Sequence, residues 1–409
     1  MYQYHKIKGY KESESKFSTL FFEKGILSVS DGNIVFSHTS ILEFYLAEYA
    51  RSNEKFLNFM IQKGNRIYFK NEICFYSGLV PDCKNLLDSM GDTIIQQIMK
   101  DIDAIDILNN IEIITDFKIE KDELVRKLED NRPTQKEIDD MSDNSQKEIS
   151  PDEFSKKKSP VLSKSKQILQ DKEIVDEEIV QQETEDFYLL VAIYGSILKN
   201  AELLDNSDKV QHLENYMYAM NILLGKIFAL AESIKWESPF ADCIRESEKL
   251  TQEDFEENKE QWLEVIKVSF PIALQHVILE NVGTPKLEVA INELMRQKED
   301  KPFEKFMLEF LKCDLNVGNI ISELQRYIQK ETSEGILKLI FIKLLFYYRM
   351  RFFGTNTQMY NSILDLIIEV QIKLNPEKGA TLTKAFKGNK SKVRKEVAKQ
   401  IEKNERINI

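Results

Sequence analysis

The sequence predicts a mostly α protein: a small winged helix with one β-hairpin at the N-terminus, followed by a large α-helical domain of antiparallel α-hairpins. Three observations predict it. The 409 residues include only 14 Gly and 9 Pro, and glycine is about half its usual ~7% share. One short stretch, Lys24 to Tyr49, carries a turn signal between β-prone runs and then a helical period. From about Thr184 onward, apolar residues recur at three and four through a series of segments, the signature of amphipathic helices.

Taken in order, residues 1–16 are polar and read as a lead-in. Phe17 to Lys24 reads as a helix that Gly25 terminates. Asp31-Gly32 is a two-residue hairpin signal. That turn sets Val29 opposite Ile34 and Leu27 opposite Phe36, with all four on one face and Ser28, Ser30 and Val35 on the other. Ser40-Ile41-Leu42-Glu43 is a capping box and predicts a helix start. Ile41, Leu42, Tyr45, Leu46 and Tyr49 continue it with a helical period, and Phe36, Tyr45 and Tyr49 are expected in the core. Glu54 to Lys63 reads as helix, with Phe56, Phe59 and Met60 on one face; Asn65 to Phe69 fits strand or loop. Phe75 to Asp82 is expected to pass between helices as a structural connection. Lys84 to Asn110 reads as one or two helices, with Gly91 as the candidate break.

Four regions follow: a winged-helix-like domain at 1–52, a helical connector at 53–120, a charged flexible linker or insertion at 121–183, and a C-terminal sensor or interaction domain at 184–409. Asn131 to Glu183 has no glycine and one aromatic, Phe154; such a segment buries too little apolar surface to offset its ordering entropy. Within it, 155–166 (SKKKSPVLSKSK) has the look of a polyanion patch, but its acidic flanks favour a solvated linker. The later helices are expected at Glu185–Leu204, Val210–Ile234, Gln252–Glu280, Pro285–Lys298, Pro302–Leu311, Val317–Gln329, Ser333–Phe353 and Thr357–Leu374. Pro285 and Pro302 sit where proline tolerates a helix start. Pro271 should end or kink its helix near Ser269. No fixed repeat period emerges.

The net charge of −12 is uneven. Lys373 to Arg406 carries 11 basic and 4 acidic residues, a local +7, which leaves about −19 for the rest. An acidic body argues against broad nucleic-acid binding. In the tail, Val393, Val397 and Ile401 lie at i, i+4 and i+8. That basic amphipathic helix could dock on an acidic partner, a nucleic acid or an anionic membrane; docking on this chain's own acidic body is the preferred reading. Cys74, Cys83, Cys243 and Cys313 form no CxxC, so a reducing cytoplasm is expected. No signal peptide is visible in the polar N-terminal residues. Ile336 to Phe353 is apolar, but Lys338, Lys343, Arg349 and Arg351 interrupt it, so it reads as a buried helix rather than a span.

Catalytic motifs are absent from the sequence. There is no G-x(4)-G-K-[ST] loop, and Gly388-Asn389-Lys390-Ser391 lacks the upstream glycine and strand that a phosphate loop needs. HExxH, G-x-S-x-G and kinase signatures are missing. The four histidines, His5, His38, His212 and His276, are scattered. Neither a catalytic residue nor a metal site is assigned, and the chain is read as non-enzymatic.

Phe36-x-His38 and then Glu43-Phe44-Tyr45-x-Ala47 resembles the winged-helix signature F-x-H-x(4)-E-[YF]-[FY]-x-A of STAND-class, NACHT-like signalling NTPases. Asn71-Glu72-Ile73-Cys74-Phe75-Tyr76-Ser77-Gly78-Leu79 is similar to a segment that often follows it in bacterial members. The resemblance covers roughly the first 100 of 409 residues. It implies the regulatory and sensor part of a bacterial defence protein. The helical domain would recognise a protein trigger, often viral, and relieve an ADP-bound closed state. His38 would reach the β-phosphate of ADP, since an imidazole N–H can donate to a phosphate oxygen. The competing reading packs His38 between hairpin and helix, and Glu43 as the N3 acid of the capping box needs no ligand. The chain alone is expected to hold no cofactor: the ATPase core, and with it ADP or ATP, would come from another chain or be missing. The partner is therefore a trigger or an NTPase subunit, with oligomerisation left open. The rival is a winged-helix nucleic-acid-binding protein with a helical oligomerisation domain. Its recognition helix would have to be basic, yet Phe17–Lys24 carries only Glu23 and Lys24, and Ile41–Arg51 carries Glu43 and Glu48 against Arg51. A third reading is a non-enzymatic helical scaffold.

Overall fold

The computed structural model describes residues 14–30, 33–62, 65–80, 82–99, 187–232, 251–350, 356–375, 383 and 386–406. They are mostly helical, with one two-stranded antiparallel hairpin near the N-terminus and many helices after it. They fall into two compact units, the first ending at Cys83 and the second starting at Lys84. The expected connector at 53–120 thus has described residues in both. The expected linker at 121–183 and the Asp31-Gly32 turn lie outside the described residues. Among the described residues, no helix is long and apolar enough to cross a membrane.

The first unit opens with α1 (Glu14–Glu23). Gly25, at φ 67°, ends it. The Ile26 N–H bonds back to the Phe21 carbonyl and the Gly25 N–H to that of Phe22, a left-handed C-terminal cap that glycine adopts without steric cost. β1 (Leu27–Ser30) and β2 (Asn33–Phe36) then pair antiparallel, with Leu27 opposite Phe36 and Val29 opposite Ile34. This is the expected register, although Val29 and Ile34 are each 66% exposed.

α2 (Thr39–Arg51) begins one residue before Ser40, and its N-cap is His38. The expected capping box is therefore not built. Ser40 and Glu43 fall too far inside the helix for the N-cap and N3 roles. Glu43 instead accepts a hydrogen bond from Asn71 at 2.7 Å. Tyr45 and Tyr49, expected in the core, are 42% and 52% exposed, whereas Ala47 and Ala50 are buried. The small residues, not the aromatic ones, form the contact stripe of α2, and they let α4 (Lys70–Leu79) approach closely. Between them stand α3 (Glu54–Ile61), capped by the Asn53 side chain, and a turn over 65–69. α4 absorbs Phe75 to Leu79, which the sequence placed between helices. Buried Ile73 and Ser77, four apart, hold that last turn helical against α2.

The second unit opens with α5 (Lys84–Met99), which runs through Gly91 without a break. The glycine serves a close approach: a Cβ there would stand 3.0 Å from the Tyr194 hydroxyl. Residues 187–200 form α6. α7 (Asn206–Glu232) follows and packs against α5, against α8 (Gln252–Val282), and against α9 (Glu288–Gln297) beyond a short 3-10 turn at Pro285–Leu287. α8 continues through Pro271, which neither ends it nor stops its apolar face. Val268, Leu274 and Ile278 are all buried, and that packing on both sides of the proline offsets the lost backbone bond. At Gly195, α6 meets its neighbours so tightly that a Cβ would lie 2.6 Å from Tyr216 Cε2 and 3.1 Å from Val282 Cγ1. Gly195→Ala is expected to lower stability by about 1–3 kcal/mol through overpacking, read as a fall in the thermal midpoint, despite alanine's better helix propensity.

α10 (Pro302–Asp314) starts at its proline and packs against α8, α9, α11 (Ile320–Lys330) and α12 (Glu334–Arg349). Ser333 caps α12, and Asn356 caps α13 (Thr357–Leu374), which has the bounds expected from sequence. α14 (Lys390–Arg406) lies on α13. Val393, Val397 and Ile401 are buried there, and Arg394 grips Asp365 with two bonds of 2.6 Å. The helix of the basic tail thus docks on its own chain, the reading preferred from sequence.

Candidate functional site

His38 sits at the junction of β2 and α2 with extended backbone (φ −133°, ψ 135°), and its side chain makes no capping bond. Its carbonyl accepts the Ile41 N–H at 3.1 Å. The residue is exposed, so it does not fill the space between hairpin and helix as the competing reading required. The other motif positions cluster beside it. Glu43 binds Asn71, and Phe44 meets Phe75 edge to face, with ring centres 6.2 Å apart. Burial raises the pKa of Glu72; a backbone hydrogen bond opposes the rise and nearby Glu43 adds to it. The two sequence segments behind the resemblance are therefore one packed structure in the first unit.

His212 has no such exposure. It is buried, accepts or donates at 2.7 Å with the Tyr194 hydroxyl, and has Asp88 at 3.4 Å on its other nitrogen. Burial lowers its pKa and Asp88 opposes this, which leaves a neutral ring tying α5, α6 and α7 together.

A second candidate lies wholly in the second unit, and the sequence reading missed it. α9, α10 and α11 enclose an open cleft of about 450 Å³. Glu309 stands at its floor, 5% exposed, and its Oε2 has no hydrogen-bond partner. Burial pushes its carboxyl up to about 7; Lys312 opposes the shift, Glu323 adds to it and Lys305 opposes it. Lys312, also buried, donates to Asn292 at 2.9 Å and pairs with Glu323 at 2.7 Å. Gly318, at φ 75°, turns the chain between α10 and α11, and a Cβ there would crowd both Lys312 and Glu323. Arg326 and Lys330 line the cleft from exposed positions and form no ion pair among the described residues. One signal could have found this site. Glu309 and Lys312 stand among Phe306, Met307, Leu308, Phe310, Leu311 and Cys313, a run apolar enough to draw its charged members inside.

No family model matches the sequence, and neither a curated protein nor a solved structure matches it.

Proposed function

We propose that the chain is the regulatory and sensor portion of a STAND-type signalling NTPase in bacterial antiviral defence, acting in the cytoplasm without catalysis of its own. In this reading the helical domain binds a protein trigger. The winged-helix end, with His38 facing an ADP phosphate, communicates that event to an ATPase core supplied by other sequence. The observation that supports it is the meeting of the two motif segments: Glu43 with Asn71 and Phe44 with Phe75. They are distant in sequence yet packed as one body, which a chance match of either segment would not require. The mechanism is a population shift, in which the trigger must bind the open state better than the closed one.

The test begins with the coding sequence adjoining this chain. The reading expects a G-x(4)-G-K-[ST] loop in the same or a neighbouring frame. The isolated chain should not bind ADP; the joined or co-expressed product should, and His38→Ala should weaken it by about tenfold, the loss of one charge-assisted hydrogen bond. Micromolar ADP affinity of the chain alone, or an affinity indifferent to His38→Ala in the joined product, overturns the proposal. Salt-dependent retention on duplex DNA, lost on deletion of 1–52, would establish the rival instead.

A further inference from the structure

We propose that the cleft among α9, α10 and α11 binds an acidic peptide segment of a partner protein, with its carboxylates on Arg326 and Lys330 and one of its polar groups bonded to Glu309 at the floor. The inference rests on the second unit alone and not on the family resemblance, so either can fail without the other.

Three observations carry it. The first is the Glu309 carboxyl: the residue lines a cleft with room for a ligand, and its buried Oε2 has no protein partner. Buried polar atoms are rarely left unpaired, so an external partner at that point is the economical completion. The second is charge. In a chain of net charge −12, the cleft gathers Arg296, Lys305, Lys312, Arg326 and Lys330 against Glu299, Glu309 and Glu323. A local positive field on an acidic protein attracts anions. The third is spacing. Arg326 and Lys330 are four apart on one helix face, with Cβ atoms ~5–6 Å apart. Alternate side chains on an extended peptide are ~6.6–6.8 Å apart, so two carboxylates in a Glu-x-Glu pattern can meet both cations. A nucleotide is the poorer fit. The aromatic side chain lining the cleft, Tyr327, is 5% exposed, with its hydroxyl 3.5 Å from the Pro302 carbonyl, and offers no face for a base to stack on.

Glu309 also gives the site a proton. Lys305 and Lys312 of its own helix favour its ionised form and Glu323 of α11 disfavours it. The two cations of α11, with Arg296 of α9 and Glu299 just beyond its end, complete the charged lining beside the titratable Tyr327, and no charged group of α8 or α12 lines the cleft among the described residues. A protonated Glu309 donates to a ligand carboxylate; an ionised one repels it.

The test is fluorescence anisotropy of the full chain with a short labelled peptide of alternating Glu and Ser. Saturable binding is expected, and the double variant Arg326→Glu, Lys330→Glu should weaken it about tenfold or more, since two rim pairs are reversed. Both positions are exposed, so folding is retained, which circular dichroism verifies. Lys395→Glu with Lys399→Glu on α14 should leave binding unchanged. Affinity should fall between about pH 6 and pH 8 in the wild type, and Glu309→Gln should flatten that slope. No saturable binding, equal binding of a Gln-Ser peptide, an equal loss in the α14 variant, or a pH slope that survives Glu309→Gln each overturns the proposal. Displacement by free glutarate at the same affinity as the peptide does so too, assigning the cleft to a small free acid.

Discussion

Lys343→Met is expected to destabilise the second unit by about 3–5 kcal/mol, because it leaves a buried carboxylate without its counter-ion. Asp314 ends α10 with its side chain 2% exposed, and Lys343 on α12, at 4%, pairs with it at 2.9 Å. The Tyr347 hydroxyl donates to the other Asp314 oxygen. Burial raises the Tyr347 pKa, with Asp314 adding to the rise, so the phenol keeps its proton and remains a donor. Removing the cation leaves the buried anion with the Tyr347 hydroxyl but no counter-ion. The variant should lower the urea midpoint of the transition in which α10 and α12 amides lose protection from hydrogen exchange. The companion variant separates charge from shape. Asp314→Leu, Lys343→Met and Tyr347→Phe together should recover most of the loss, since apolar replacement of a whole buried polar cluster is often neutral or stabilising. A single variant as stable as wild type would mean that the pair is hydrated rather than buried.

The second large effect is a loss of stability as pH rises through neutrality, traced to Glu309. Burial pushes its folded pKa up to about 7, against an ordinary 4.5. Between those values the folded chain keeps a proton that the unfolded chain gives up. The contribution is fully present below about pH 4.5 and is lost as pH rises through about 7, amounting to on the order of 3 kcal/mol. Glu309→Gln removes this dependence while nearly preserving shape. The difference in thermal midpoint between the two proteins, followed from about pH 5 to pH 8, should therefore change sign-consistently in favour of the glutamine variant at the alkaline end. A constant difference across that range would show that Glu309 titrates as an exposed acid does.

Several elements were legible before any coordinates. The pairing of Leu27 with Phe36 follows from the place of the turn signal alone, because a hairpin register is a local property. Thr357–Leu374 was read with its bounds intact, because an Asn cap and a strong apolar period agree there. Gly91 and Pro271 end no helix here, for a shared reason. Each is a local helix breaker whose cost is met by tertiary contacts, Tyr194 over Gly91 and the buried flanks of Pro271. The capping box misled because two overlapping starts were available, and α2 took the earlier one, leaving Glu43 to bind Asn71.

The candidate sites divide along the same line. His38 and Glu43 were visible because they belong to one contiguous pattern. Glu309 was missed, its only signal being the apolar residues on either side of it. The sequence by itself determined the class of fold, the hairpin register and the apolar stripe of α14, since these depend on neighbours a few residues away. Only the tertiary structure decided which apolar faces meet, that the tyrosines of α2 stay outside while its alanines are covered, and that three helices leave one carboxylate oxygen unmatched in a cationic cleft. A period of 3.6 residues states which side of a helix avoids water. It carries no information on which distant segment will cover that side, and the electrostatics of a buried group are set by that distant segment.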